Sequence, residues 1–150
     1  MHRALEIVNA AVALLQANTN LAASVYAHRV LSLAAEELEV PAVSVRMGVD
    51  TPSSGSGQSS LSFIDSELEL SVDLWAQDVS EQDVLEKLLE LRAQTHISLQ
   101  ADFTLGLAYV TDTAYGGSSA PDLDPGGARI AGHISTRWTV RYRMNYTDPN

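Results

Sequence analysis

The chain has 150 residues, a hydrophobic fraction of 45% and a formal net charge of −10, from 19 acidic and 9 basic residues. This length and hydrophobic fraction fit one domain with one core, spanning residues 1–150. Cysteine is absent, which excludes disulfides, thiolate zinc sites and cysteine nucleophiles, and the scarcity of lysine argues against a nucleic-acid grip, which needs clustered cations.

The first 16 residues are apolar in a helical pattern, but they lack the layout of a cleavable signal. They are also too short to span a bilayer, and no other run approaches the roughly 20 apolar residues that a membrane helix needs. We therefore expect a soluble chain without a targeting segment and without a membrane partner.

Residues 3–18 predict a first helix, because apolar residues recur there at three- and four-residue spacing and alanine is frequent. The run Asn18-Thr19-Asn20 favours an end at this point. Residues 24–31 predict a short strand. Residues 41–49 predict a second strand, in which β-branched residues alternate with polar ones after Pro41.

Residues 50–60, DTPSSGSGQSS, form a low-complexity segment with almost nothing to bury. We interpret it as a long loop between two strands of one sheet, because no second core exists for it to separate. Long loops in compact domains are often functional or disordered. Ser54, Gly55 and Gly57 are therefore candidates for contacts with another molecule.

The stretch Glu67–Gln77 alternates strictly, which predicts a central strand. Its inward side carries Leu68, Leu70, Val72 and Leu74. Its other side carries Glu67, Glu69, Ser71, Asp73 and Trp75, and we expect that face to meet water. The following segment predicts an amphipathic helix, with Ser80 as N-cap, Asp83 in the capping-box position and an end within residues 94–100.

The remaining chain predicts a strand at 105–115, a turn-rich loop at 116–128 and a long closing strand from Ile130. In the closing strand Trp138, Val140 and Tyr142 share one parity, and the arginines share the other. The order is α-β-β-β-α-β-β. This predicts an α+β fold, with a mainly antiparallel mixed β-sheet and two helices packed on one face.

Acidic and basic residues on the polar faces of the central and closing strands are candidates for cross-strand charge pairs. They are Glu67, Glu69, Asp73, Arg137, Arg141 and Arg143. The carboxylates could instead form a hard-cation site or an acid/base pair, and the arginines could form a DNA-binding patch. Ion pairing explains both sets more simply, since no aromatic residues accompany the arginines on that face.

No other motif carries chemistry. Asp122 and Asp124 resemble a fragment of a calcium loop whose other ligands are absent, so turn formation explains them better. No GK[ST] follows Gly116-Gly117, no GxSxG elbow exists, and the four histidines are scattered. We therefore predict no catalytic residue, no metal, no cofactor and no enzymatic activity.

Three stretches together resemble the tail terminator proteins of long-tailed, siphovirus-type bacteriophages, the lambda-type minor tail protein U family. The first is the N-terminal helix leading to VYAHR, residues 25–29, and the second is EELEVPAVSVRMG, residues 36–48. The third is SELELSVDLWAQ with its following helix SEQDVLEKLLELR, joined by the closing strand WTVRYRMNY. These stretches cover most of the chain.

The resemblance implies a structural virion protein at the head-proximal end of the tail, assembled in the host cytoplasm. Such a protein forms a homo-oligomeric ring, typically a hexamer, that caps the tail tube and joins it to a head-completion or connector protein. DNA meets it only in transit through the lumen. The loops at 50–60 and 116–128 would then contact neighbours, with Tyr115, Gly116, Gly117, Asp122 and Asp124 as candidates in the second loop.

Two observations from the residues agree with that expectation. A chain with long polar loops and no catalytic constellation suits an assembly part, and an acidic conduit keeps DNA from adhering to its wall. The alternatives are a non-enzymatic acidic binding or regulatory domain, another head–tail completion or tail-tube protein, and a hydrolase that uses Glu67, Glu69 or Asp73.

Overall fold

The computed structural model describes residues 1–21, 25–27, 41–53, 63–125 and 128–150. Within these ranges two helices and six strands follow one another in the order α-β-β-β-α-β-β-β. Their bounds are α1 Arg3–Ala17, β1 Val25–Ala27, β2 Ala42–Pro52, β3 Phe63–Asp78, α2 Glu81–Gln100, β4 Val110–Ser118, β5 Asp122–Asp124 and β6 Ile130–Asn145.

Both helices begin at side chains that satisfy free backbone N–H groups. The Ser80 hydroxyl accepts a hydrogen bond from Asp83 N, and Ser80 donates to the Asp83 carboxylate in turn. This confirms the predicted capping arrangement. At α1 the cap is His2, whose Nδ1 accepts from Ala4 N at 3.1 Å. Histidine is an uncommon N-cap, and the sequence pattern did not predict it.

The strands form one sheet in the order β1-β2-β3-β6-β4, with β5 also paired to β6. β1 runs parallel to β2, and the other pairings between the described strands are antiparallel. The β3–β6 pairing is the longest and runs without interruption from Phe63 opposite Asn145 to Asp78 opposite Ile130. The predicted neighbour relation between the central and closing strands and the α+β fold are therefore confirmed.

The core lies between the two helices and one face of the sheet. Ile7, Val8 and Leu15 of α1 and Val84 and Leu88 of α2 are fully buried there. From the sheet side, Leu70 and Trp138 stand opposite each other in register and are each only 1% exposed. α2 packs closely on the sheet at Gly132, where an added Cβ would lie 2.9 Å from Leu88 Cδ1.

The predicted strand at 105–115 was wrong at its start. Residues 102–109 form successive turns, in which Leu105 N donates to Asp102 O and Leu107 N donates to Thr104 O. Asp102 also accepts from the backbone and the hydroxyl of Thr104, and Leu105 has a φ of 53°. An Asp side chain that captures its own following backbone competes with a strand ladder, and so β4 begins only at Val110.

The predicted loop at 116–128 was also wrong in part. β4 continues to Ser118, and Asp122–Asp124 form the short strand β5 beside residues 131–133 of β6. Leu123 is half-buried and lies against Gly132, while Asp122 and Asp124 on either side of it are exposed. Three residues with alternating acidic and apolar side chains suffice to form a strand here, because β6 supplies the hydrogen-bond partners for their backbone.

The first predicted loop is shorter than residues 50–60. Asp50 and Pro52 belong to β2 and pair with Leu68 and Ser66 of β3. Residues 54–60, including Ser54, Gly55 and Gly57, lie outside the described residues. Of the predicted strand at 24–31, residues 25–27 are confirmed, and the flanking positions also lie outside the described ranges.

Candidate functional site

The sheet face opposite the helices, called here the open face, carries most of the predicted site residues. Near the end of β3 and β6 two ion pairs cross between the strands. Arg141 Nε lies 3.0 Å from Glu67 Oε1, and Arg143 Nε lies 2.7 Å from Asp65 Oδ1. The members of both pairs stand opposite each other in the strand register. Both members of the first pair and Arg143 were among the predicted candidates for such pairs, whereas Asp65 was not considered.

Both of these pairs are partly exposed. The side chains of Glu67 and Arg141 are 40% and 61% exposed, so their attraction is screened by water and contributes little to stability. The Arg143 guanidinium also lies 3.8 Å from the centre of the Phe63 ring, which adds a cation–π contact. Together the two pairs fix the alignment of β3 and β6 more than they stabilise the fold.

Asp73 differs from these carboxylates because it is buried, with 2% of its side chain exposed. Arg46 of β2 donates from Nε to Asp73 Oδ2 at 2.6 Å. The predicted pairing of Asp73 with an arginine of the closing strand was therefore wrong. Opposite Asp73 that strand carries Ser135, and the arginine comes from β2 on the other side.

The surroundings of Asp73 keep it ionised. Burial by itself raises the pKa of a carboxyl, but the polar groups of His133, Ser135 and Arg46 around Asp73 outweigh burial and hold its pKa below the ordinary value. His133 Nε2 lies 3.7 Å from Asp73 Oδ1, too far for a hydrogen bond. Its ring packs against Trp75 at 4.7 Å between centroids, with the two planes tilted by 33°.

The open face was expected to meet water, but on β3 it does so only in part. From Val72 to Ala76 every residue of β3 is buried, so Asp73 and Trp75 are covered although the helices lie on the other face. Elsewhere on the face Glu67 and Glu69 of β3 are half-buried, and Arg137 of β6 is exposed. Within the described ranges, Glu69 and Arg137 form no ion pair; Thr139 and Ser71 stand opposite them.

The outer half of β2, Met47–Pro52, is exposed at every residue and therefore on both faces. It includes Met47, 42% exposed, and Val49, 67% exposed. A register shift between Met47 and Asp50 interrupts its pairing with β3. The side chain of Asp50 accepts a hydrogen bond from the Tyr142 hydroxyl at 2.5 Å, which ties this segment to β6 across β3.

The candidates near the second predicted loop fall into different environments. Tyr115 is half-buried and packs with Trp138 and His96 at centroid distances of 5.2 and 5.3 Å, so it joins β4 to α2 and the core. Gly117, with a φ of 110°, forms a bulge opposite Arg137 beside Gly116. Asp122 and Asp124 are exposed at the ends of β5.

The arrangement of the carboxylates is poorly suited to acid–base chemistry. A general acid or base needs a pKa near the working pH, whereas the pKa of Asp73 is lowered away from it. Asp73 Oδ2 also accepts a hydrogen bond from Arg46. Glu67 is engaged with Arg141. Among the described residues no group of three or more His, Asp or Glu side chains could hold a metal ion.

The Arg46–Asp73–His133 cluster was missed in the sequence. One signal for it was available: Leu74-Trp75-Ala76 is a continuous apolar run at the end of an alternating strand. Such a run indicates burial on both faces, and a carboxylate beside it then needs a buried partner. The identity of that partner depended on the strand order, which the sequence did not provide.

The chain matches no protein-family model, and it matches no curated protein. The described residues contain no helix long and apolar enough to cross a membrane.

Proposed function

We propose that this chain is a structural subunit of a bacteriophage tail, resembling the tail terminator, that assembles with copies of itself into a ring. The ring would cap the tail tube and present the surface for head–tail joining. The observation that carries the proposal is the outer half of β2, a strand segment exposed on both faces with apolar residues at Met47 and Val49. Exposed apolar strand segments favour contact with another chain.

The placement of the resembling stretches supports the same function. Their described parts lie on α1, β1, β2, β3 with α2, and β6, which contribute most of the core and the centre of the sheet. The resemblance thus concerns one continuous layered unit rather than scattered segments. The outer half of β2 extends from that unit and continues toward the serine-rich segment, which is the longest polar stretch of the chain.

The charge of the chain adds a condition on assembly. With a net charge of −10, like subunits repel one another, and the repulsion between exposed charges is screened as the ionic strength rises. We therefore expect ring formation to be favoured by salt or by divalent cations. A lumen lined by such subunits would also repel DNA in transit.

The test is the oligomeric state of the purified protein. Light scattering across a range of concentration and salt gives the mass, and negative-stain images show whether the assembly is a ring with a central channel. Rings that grow more abundant with salt would support the proposal. A protein that stays monomeric throughout, or a closed dimer without a channel, would favour the acidic binding domain instead.

A further inference from the structure

Two buried polar atoms of the open face point at each other without a hydrogen bond between them. They are Asp73 Oδ1 and His133 Nε2, 3.7 Å apart, and neither has a hydrogen-bond partner among the described residues. Buried polar atoms are nearly always paired, because an unpaired one has lost its water without compensation. The facing of a carboxylate oxygen and an imidazole nitrogen therefore needs a physical explanation.

The side chains of Asp73 and His133 are each held in place by a contact with a further residue. The ring of His133 lies against Trp75, its register partner on β3, and Asp73 is bound through its other oxygen by Arg46. Neither group can turn away without breaking a contact. The pair thus joins β6 to β3 next to the point where β5 attaches to β6, since Asp122 of β5 is the other register partner of His133.

The protonation state of the imidazole decides whether this contact is favourable. In the neutral ring one nitrogen donates and the other accepts, and an accepting Nε2 would face the carboxylate lone pairs; in the charged ring both nitrogens donate. Among the described residues, the charged groups that face this ring from neighbouring strands are Asp73, Asp122 and, behind Asp73, Arg46.

We propose that His133 is a protonation-dependent latch, which donates from Nε2 to Asp73 Oδ1 when the imidazole takes up its second proton. The latch ties β6 to β3 more firmly under mildly acidic conditions than under mildly alkaline ones. Imidazoles change charge between about pH 5 and pH 8, so the change falls within the range that a protein meets in ordinary use. The proposal does not depend on the ring-forming function.

A double-mutant cycle at two pH values tests the latch. The variants are Asp73→Asn, His133→Gln and the two combined, each unfolded in urea at about pH 5.5 and about pH 8. The coupling between the two positions should be about tenfold or more in the folding equilibrium constant at the lower pH, as for a hydrogen bond to a charged group, and should shrink severalfold at the higher pH. Equal coupling at both pH values would overturn the proposal.

A second measurement covers the case in which a variant does not fold. The side-chain nitrogen resonances of the parent's histidines, followed against pH, report directly whether Nε2 of His133 carries a hydrogen-bonded proton. We expect that signature to appear on acidification at His133 and not at His96, which lies exposed on α2 against Tyr115 and Trp138. A hydrogen-bonded Nε2–H at His133 that persists unchanged to the alkaline end would contradict a latch.

Discussion

Arg46 of β2 donates from Nε to the buried carboxylate of Asp73 on β3 at 2.6 Å. The ion pairs that Glu67 and Asp65 of β3 form with β6 are more exposed. The Arg46 side chain is 40% exposed and the Asp73 side chain only 2%. Water can therefore replace the partner of the arginine but not that of the aspartate. Removing Arg46 should therefore destabilise the fold by leaving a buried charge without its partner, whereas removing Asp73 leaves an arginine that water can reach.

Arg46→Met should destabilise the fold by about 2–3 kcal/mol, because it leaves a buried carboxylate with one donor fewer while keeping the aliphatic contact. The measurement is urea unfolding at neutral pH. Arg143→Met is the matched control, since its pair with Asp65 is largely exposed and its loss should be much smaller. Equal losses for the two variants would contradict a special role for the buried pair.

The ionised form of Asp73 should also shape acid denaturation. Its pKa is held below the ordinary value of 3.8, so its contribution to stability is fully present above that value and is lost as the pH falls through the lower, folded-state pKa. Asp73→Asn should therefore flatten the fall of stability below about pH 4, even though it lowers stability at neutral pH. The check is the slope of unfolding free energy against pH for parent and variant.

Tyr142 should have the opposite effect at the alkaline end. Burial, followed by the hydrogen bond to Asp50, raises the pKa of its hydroxyl above the ordinary value of 10.0. Its contribution to stability is thus complete below about pH 10 and is lost as the pH rises toward the folded-state pKa.

Tyr142→Phe should cost about 0.5–1.5 kcal/mol at neutral pH through the lost hydrogen bond, and it should make the fold less sensitive to alkali above about pH 10. Unfolding curves at neutral and alkaline pH give both values, and tyrosinate absorbance gives the titration itself. A variant as sensitive to alkali as the parent would show that another group controls the loss of stability above about pH 10.

The close contact of α2 with β6 makes Gly132 a packing position. An added Cβ there would overlap Val84 and lie 2.9 Å from Leu88 Cδ1, so Gly132→Ala should destabilise by about 1–3 kcal/mol. Val84→Ala removes the nearest obstacle. The double variant should therefore lose less than the sum of the two single variants in thermal or urea unfolding, and strict additivity would argue that the helix simply shifts away.

Assembly can be tested through the two segments that were predicted to contact neighbours. Deletion of Ser53–Ser59 should lower ring formation in light scattering at high salt while leaving the thermal unfolding of the subunit almost unchanged. Deletion of Gly117–Gly126 should affect both, because it removes β5 and its pairing with β6. If both variants assemble like the parent, these segments serve only as connections.

Much of the fold could be predicted from periodicity alone. The alternation of Leu68, Leu70, Val72 and Leu74 determined which side of β3 enters the core, since a strand reverses its faces at every residue. The same reasoning placed Trp138, Val140 and Tyr142 in the core, and capping chemistry located the start of α2 at Ser80. These features depend on residues close together in the sequence.

The environment of the open face was decided by the tertiary structure. The sequence determined that Asp73 lies on the same side as Glu67 and Glu69, because that follows from parity. Only the strand order, with β2 on one side of β3 and β6 on the other, brought Arg46 and His133 to it and left Glu69 and Arg137 opposite Thr139 and Ser71. Neighbours across a sheet are set by the joint packing of both helices and all strands, which no local pattern encodes.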